Sequence, residues 1–215
     1  MSTEDKNIQW NVPEPTLRRL PWYLAYVKLL KSSDEDMVSS TRIARKIGVD
    51  PSQVAKDLSF VNITGKTRVG YEIDELIRVL GKFLGFTDIH RAVLFGVGSL
   101  GAALLQDSGL SQYGLQIVAA FDISPKRIGT KINNIPIYHT RDLPLKIKEL
   151  GVNICVLTVP ILKAQEVTDW VIGCGIKAIW NFTPYRIKVP HNIIVQNTSL
   201  YSHLAVMFNR INAIK

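Results

Sequence analysis

The residues best placed for chemistry are Gly96-Val97-Gly98-Ser99-Leu100-Gly101, which follow the apolar run Ala92–Phe95 and open a stretch of helical spacing, Ser99–Leu105. A strand–glycine–helix order suits the pyrophosphate of a dinucleotide. Gly96 permits the tight turn, Gly98 lets the backbone approach the phosphates, and Gly101 lets helix and strand pack closely. The unpaired N–H groups at the start of the helix then face the anion. Asp122 ends a second apolar run, Ile117–Phe121, about 20 residues further on. A carboxylate there accepts hydrogen bonds from the adenine-ribose hydroxyls and repels a 2′-phosphate, which favours NAD(H) over NADP(H); Lys126 and Arg127 pull weakly the other way. The bland alternative is a glycine turn beside an unrelated surface aspartate. Thr158-Val159-Pro160 and Asn181-Phe182-Thr183-Pro184 end two later apolar runs. Open α/β sheets bind ligands at the carboxyl ends of their strands. Thr158, Val159, Pro160, Asn181 and Phe182 are therefore candidate contacts for the distal ribose and nicotinamide, with ordinary strand-to-loop punctuation an equal alternative.

A second constellation lies upstream. Ser39-Ser40-Thr41 offers N-caps for a helix with Ile43, Ala44 and Ile47 on its apolar face, and Gly48 ends it. Asp50-Pro51-Ser52-Gln53 starts another: Asp50 as cap, Pro51 at the first helical position, Gln53 completing a capping box. Val54, Leu58 and Val61 form the buried stripe. Two short helices joined by a glycine-bearing turn are the signature of a helix-turn-helix. The early residues of its second helix meet DNA bases. Those are Ser52, Gln53, suited to adenine, and Lys56, suited to guanine or phosphate. Thr64–Tyr71 is expected to form a small β-hairpin, or wing, that brings Lys66 and Arg68 to backbone or minor groove; Arg42 and Arg45 would contact phosphates. On spacing alone, a helical domain whose charges simply face water stays open. The net charge of +8 points to an anionic partner. Residues 1–85 hold 13 Lys+Arg against 11 Asp+Glu and residues 86–215 hold 13 against 7, so the excess is not concentrated in the helix-turn-helix region. Within 42–68, however, six basic residues face only Asp50 and Asp57.

The elements that must position these residues follow from periodicity. The first ten residues read as a loose polar tail. Leu17, Leu20, Tyr23, Leu24, Val27 and Leu30 have helical spacing, interrupted by Pro21, so a regular helix is expected to begin near Pro21, followed by a loop over Lys31–Met37. Glu72–Phe83 is helical again. From about residue 86, strands (Ala92–Phe95, Ile117–Phe121, Ile135–Tyr138, Ile154–Val159, Ala178–Phe182, Ile193–Gln196) alternate with helices (Ser99–Leu105, Asp142–Leu150, Ala164–Ile172). Alternation with continuous apolar strands implies a doubly wound parallel sheet of Rossmann type. The final helix, Leu200–Ile214, puts Leu200, Leu204, Met207, Phe208 and Ile211 on one side. The expected organisation is 1–85 for a winged-helix DNA-binding domain, 86–197 for an NAD(H)-binding domain and 198–215 for a separate C-terminal helix.

Some classes are disfavoured. No apolar run approaches the ~18 residues of a membrane span, and the N-terminus lacks a basic start before an apolar stretch, so the expected location is the cytoplasm. Cys155 and Cys174 have no metal-ligand spacing and read as buried free thiols; no metal site is expected. A hydride-transfer enzyme needs a substrate pocket and a positioned acid or base. Only 19 residues follow Gln196, and His90, His139, His191 and His203 avoid the expected nicotinamide position. Lys163 is the best remaining acid–base candidate, more simply a solvated lysine. The expectation is therefore no enzyme. A small NAD-dependent oxidoreductase with a helical appendage is the alternative, and a winged-helix protein that holds NAD(H) only for stability is a third reading.

The ordered set V-P-E-x-T-x-x-R-L-P (Val12 to Pro21), V-S-S (Val38–Ser40), Q-V-x-K-D-L-S (Gln53–Ser59), V-G-Y (Val69–Tyr71), the glycine motif, A-A-F-D (Ala119–Asp122), T-V-P (Thr158–Pro160) and N-F-T-P (Asn181–Pro184) resembles the Rex redox-sensing transcriptional repressors. The likeness runs from Val12 to the C-terminus. It implies an N-terminal winged helix, a Rossmann domain for NADH and NAD⁺, and a homodimer in which the C-terminal helix swaps onto the partner. It further implies binding to a palindromic operator in double-stranded DNA when NADH is low and release when NADH binds. The chain departs from the family pattern at Ala25, where an arginine is common, Ala55, where a basic residue is usual, and Phe60–Gly65. It departs again at Asp107, where an aromatic is common, and at Ser199-Leu200, where an aspartate often precedes the apolar residue. These positions bear on operator choice and on coupling of cofactor to DNA.

Overall fold

The computed structural model describes residues 12–214. The polar tail expected over the first ten residues lies outside them. The chain divides between Asp88 and Ile89 into two compact units, and the C-terminal helix belongs to the second.

In the first unit α1 runs over Glu14–Lys31 and buries Leu20, Tyr23, Leu24, Val27 and Leu30. The helix therefore starts well before Pro21, which sits inside it. Proline removes one helical hydrogen bond and crowds the preceding turn. Burial of Leu20, Tyr23 and Leu24 on either side of it, together with bonds from Thr16 and Arg19 to a neighbouring helix, holds the geometry. β1 (Met37–Val38) takes the end of the expected loop and pairs antiparallel with β2 (Tyr71–Glu72). α2 (Ser40–Ile47) is capped by Ser39, whose hydroxyl accepts the Arg42 N–H, and stops at left-handed Gly48. α3 (Pro51–Ser59) has Pro51 in its first turn, but Asp50 makes no side-chain cap and Gln53 bonds Asp57 instead, so the expected capping box does not form. The expected hairpin over Thr64–Tyr71 is reduced to a tight turn closed by the Lys66–Gly70 bridge, because its outgoing strand pairs with β1. Gly70 is required there: its φ is +102° and a Cβ would lie 2.4 Å from the Val38 carbonyl oxygen. α4 (Ile73–Phe83) completes the unit and packs chiefly on α1.

The second unit contains β3 (His90–Phe95), α5 (Ser99–Gln106), the short α6 (Gly109–Gln112), β4 (Leu115–Asp122), β5 (Lys131–Ile132), β6 (Ile135–His139), α7 (Leu143–Leu150), β7 (Ile154–Leu157), α8 (Ala164–Gly173), β8 (Ala178–Asn181), β9 (Ile194–Asn197) and α9 (Leu200–Ala213). The sheet order is β5-β6-β4-β3-β7-β8-β9, parallel except for β5. The winding direction reverses beside β3, which creates a crevice at the carboxyl ends of β3, β4 and β7. Side chains alternate across the sheet: Val93 and Phe95 enter one buried layer, Ala92 and Leu94 the other. α9 buries none of its residues.

Candidate functional site

The crevice is built on the glycine turn. Gly96 adopts φ +96° and donates its N–H to the Phe121 carbonyl at 2.9 Å. A Cβ on Gly101 would lie 2.1 Å from the Gly96 oxygen, whereas one on Gly98 would meet nothing within 4 Å. Gly101 is thus fixed by packing, and Gly98 faces open space where a phosphate fits. Asp122 is tied to the turn: its Oδ2 accepts the Val97 N–H at 2.6 Å and its Oδ1 accepts the Ser124 N–H at 2.7 Å. Each carboxylate oxygen has a second lone pair for a ribose hydroxyl. The Thr158 hydroxyl lies 2.7 Å from the Gly96 carbonyl, so this side chain braces the turn. A cavity of about 1090 Å³ opens here, lined by Gly96, Gly98 and Asp122 at one end and by Val159, Pro160 and Trp170 at the other. Its volume, apolar walls and glycine cradle fit a dinucleotide.

Not every expected contact reaches this cavity. Val97 is buried, Ser99 is exposed at the start of α5 and Leu100 is half-buried beside it. Asn181 is 1% exposed. Its amide donates to Tyr185 O and Asn197 Oδ1, and its carbonyl accepts from the Thr183 N–H and hydroxyl, so its polar capacity is filled within the protein. Phe182 packs on Trp180 with ring centroids 4.5 Å apart. Asn181 and Phe182 thus shape the end of β8, and Pro184 lines the cavity in their place. Ile123, Thr140 and Ile161 also line it. They follow the ends of β4, β6 and β7, so the strand-end rule finds them; Trp170, on α8, has no such signal. Cys155 is buried, which pushes its thiol up to about 12, while Cys174 is only partly buried.

On the helix-turn-helix, Ser52, Ala55, Lys56 and Ser59 of α3 are exposed, Val54, Asp57 and Leu58 are buried, and Gln53 is half-buried. Asp57 is the hub. Its Oδ1 accepts from Thr16 Oγ1 (2.9 Å), Arg19 Nη2 (2.8 Å) and Gln53 Nε2 (2.8 Å). Its Oδ2 accepts from Arg19 Nε (2.6 Å) and Tyr23 Oη (2.7 Å). Burial alone would raise this carboxyl; the donors from Arg19, Tyr23, Thr16 and Gln53 outweigh it and hold the pKa at about 2. Arg42 forms a two-pronged pair with Glu35, with Nη2 to Oε1 at 2.7 Å. Arg45, Lys56, Lys66 and Arg68 are exposed and form no salt bridge among the described residues. Two departures from the family pattern have local roles. Asp107 accepts the Leu110 N–H ahead of α6, and Ser199 caps α9 by accepting the Ser202 N–H.

A helix-turn-helix unit followed by a Rossmann-like sheet with a glycine crevice defines a class of two-unit proteins that join a DNA-binding fold to a nucleotide-binding fold. A family described as "Putative DNA-binding protein N-terminus" matches residues 11–59, and one described as "CoA binding domain" matches residues 87–185. The redox-sensing transcriptional repressor Rex of Bacteroides fragilis is 66% identical over 201 residues, 94% of this chain and 91% of that protein. The Rex of Porphyromonas gingivalis is 57% identical over 214 residues, 100% and 98% of the two chains. The crystal structure of RSP in complex with β-NAD⁺ and operator DNA matches with a TM-score of 0.89 at 32% identity, covering 94% of this chain and 93% of RSP. RSP in complex with β-NADH matches with a TM-score of 0.85, also at 32% identity, covering 94% and 95%. The chain belongs to the Rex family of redox-sensing transcriptional repressors. Its close relatives are named as repressors, which leaves the oxidoreductase reading without support.

Proposed function

We propose that this chain represses transcription by binding a palindromic operator as a homodimer when NADH is low, and leaves the operator when NADH binds. The observation that carries the reading is the glycine crevice, open at Gly98 and edged by Asp122, on a chain whose other unit is a helix-turn-helix. RSP, a relative, binds β-NAD⁺ with operator DNA and binds β-NADH. Gly96, Val97, Gly98, Ser99, Leu100 and Gly101 hold the pyrophosphate turn, with Asp122 on the adenosine ribose. Thr158, Val159 and Pro160 flank the nicotinamide end, while Asn181 and Phe182 order the loop that brings Pro184 to it. Ser52 and Lys56 face the bases. Gln53 contributes through its bond to Asp57. Arg45, Lys66 and Arg68 meet phosphates, as does Arg42 once released from Glu35. The exposed apolar face of α9 pairs with a second copy, by the helix swap that the family resemblance implies. The DNA partner proposed here supports a cytoplasmic location. Among the described residues no helix is long and apolar enough to cross a membrane.

The switch requires that NADH bind the two arrangements of the dimer with different affinity, and linkage makes DNA weaken NADH in return. Fluorescence anisotropy of a palindromic duplex with the full-length protein is expected to show NADH lowering affinity by about tenfold or more relative to NAD⁺. Equal effects of the two cofactors would sink the redox-sensing reading even if both bind.

A further inference from the structure

After its opening proline, α3 exposes Ser52, Ala55, Lys56 and Ser59, while Val54 and Leu58 are 0% exposed. Positions 52, 55, 56 and 59 recur at i, i+3, i+4 and i+7 and so share one face. Gln53 lies on the flank. Its amide nitrogen is held 2.8 Å from Asp57 Oδ1, and an ionised carboxylate only accepts, so the amide is turned toward the hub. The middle of the exposed strip is therefore the Ala55 methyl. With Ser39, Ser40, Ser59, Lys66 and Arg68 it lines a concavity of about 490 Å³ between the start of α2, α3 and the turn at Lys66–Gly70. Three of the four exposed side chains are small, so the helix backbone can approach a groove floor closely.

We infer that Ala55 is a specificity-determining residue that reads the 5-methyl group of a thymine in the major groove. The inference rests on α3 being the DNA-reading helix. A methyl group carries no donor or acceptor. Set against guanine, cytosine or adenine it strips water from polar edge atoms and returns no hydrogen bond, which is unfavourable. Set against thymine it makes an apolar contact, the one base feature that alanine recognises. The hydroxyls of Ser52 and Ser59 serve as donor or acceptor and discriminate little, and Lys56 favours guanine or phosphate. The methyl of Ala55 is thus the element of the strip that distinguishes thymine.

The test uses the full-length protein with NAD⁺ and a library of palindromic duplexes randomised in each half-site. The tightest selected duplex is then remade with each thymine in turn replaced by deoxyuridine, which removes only the methyl group. Wild-type protein is expected to lose about fourfold in affinity per half-site at one thymine position. Ala55→Gly, which removes the methyl, should bind the thymine and uracil duplexes equally at that position. Ala55→Ser, which keeps the Cβ but adds a hydroxyl, should show a reduced uracil penalty at a smaller cost to the helix than glycine. Ala55→Lys should shift selection there toward G·C. A selected duplex that tolerates uracil at every thymine overturns this inference and leaves the DNA-binding reading standing. So does an Ala55→Gly variant that folds as the wild type does and keeps the full uracil penalty. Failure to select any duplex overturns both.

Discussion

Gly98 and Gly101 are the same residue type three positions apart, and the structure separates their work. A Cβ at Gly101 would fall 2.1 Å from the Gly96 oxygen, so Gly101→Ala must displace backbone. It is expected to lower thermal stability and NADH binding together. At Gly98 a Cβ meets nothing within 4 Å and φ is −73°, so alanine fits the apo protein. Gly98→Ala should leave stability within about 1 kcal/mol. Its NADH affinity, by titration calorimetry, should fall by about tenfold or more, equivalent to ~1.4 kcal/mol. Unaltered affinity would mean that the pyrophosphate sits elsewhere. Both glycines were legible from their spacing, because the motif encodes a local turn. The motif also assigns their separate work, Gly98 to the phosphates and Gly101 to packing; what spacing did not carry is which atoms, the Gly96 oxygen and the Thr158 hydroxyl, crowd Gly101.

Between elements, the decisive contact is the seating of α3 on α1 through Asp57. Removing one partner of a buried ionic cluster leaves the rest uncompensated. Asp57→Asn should therefore destabilise the first unit by about 3 kcal/mol in urea unfolding followed by amide exchange of α1 and α3. The pH dependence has a definite sign. Asp57 is held at about 2 in the folded chain, against about 3.9 when unfolded. Its contribution is present above about pH 4 and is lost as the pH falls toward 2, on the order of 2 kcal/mol. Wild type should show that loss and Asp57→Asn should not; a parallel acid profile for the two proteins would show that the carboxyl is not the linked group. Helix boundaries on this unit were readable from apolar periodicity and caps. The early start of α1 was not, because proline at position 21 is an unfavourable local signal that tertiary packing overrides.

At the scale of the whole molecule, α9 presents Leu204, Phe208 and Ile211 at 40%, 53% and 48% exposure, and α9 buries none of its residues within the chain. A contiguous apolar face of that kind calls for a partner surface. Sedimentation velocity should show a dimer for wild type and a monomer for the Phe208→Glu, Ile211→Glu double variant, with palindromic duplex binding weakened in parallel. A wild-type chain that sediments as a monomer at micromolar concentration would end the two-headed reading of the operator. The apolar stripe itself was visible in the sequence, because helical periodicity marks a face whether or not its own chain covers it.

The order of residues determined the class of each unit: a glycine turn between strand and helix, two short capped helices, and alternating apolar runs that form a parallel sheet. Those features depend on neighbours within a turn or a strand, and local spacing carries them. Only the tertiary structure decided that Asp57 gathers Thr16, Arg19 and Tyr23, and that Asn181 is tied to Asn197 across β8 and β9. Asp57 meets donors 34 to 41 residues away in the chain, and Asn181 closes on a residue 16 positions further along. A polar side chain's role is set by the partner that satisfies it, and such partners are brought together by folding, not by adjacency.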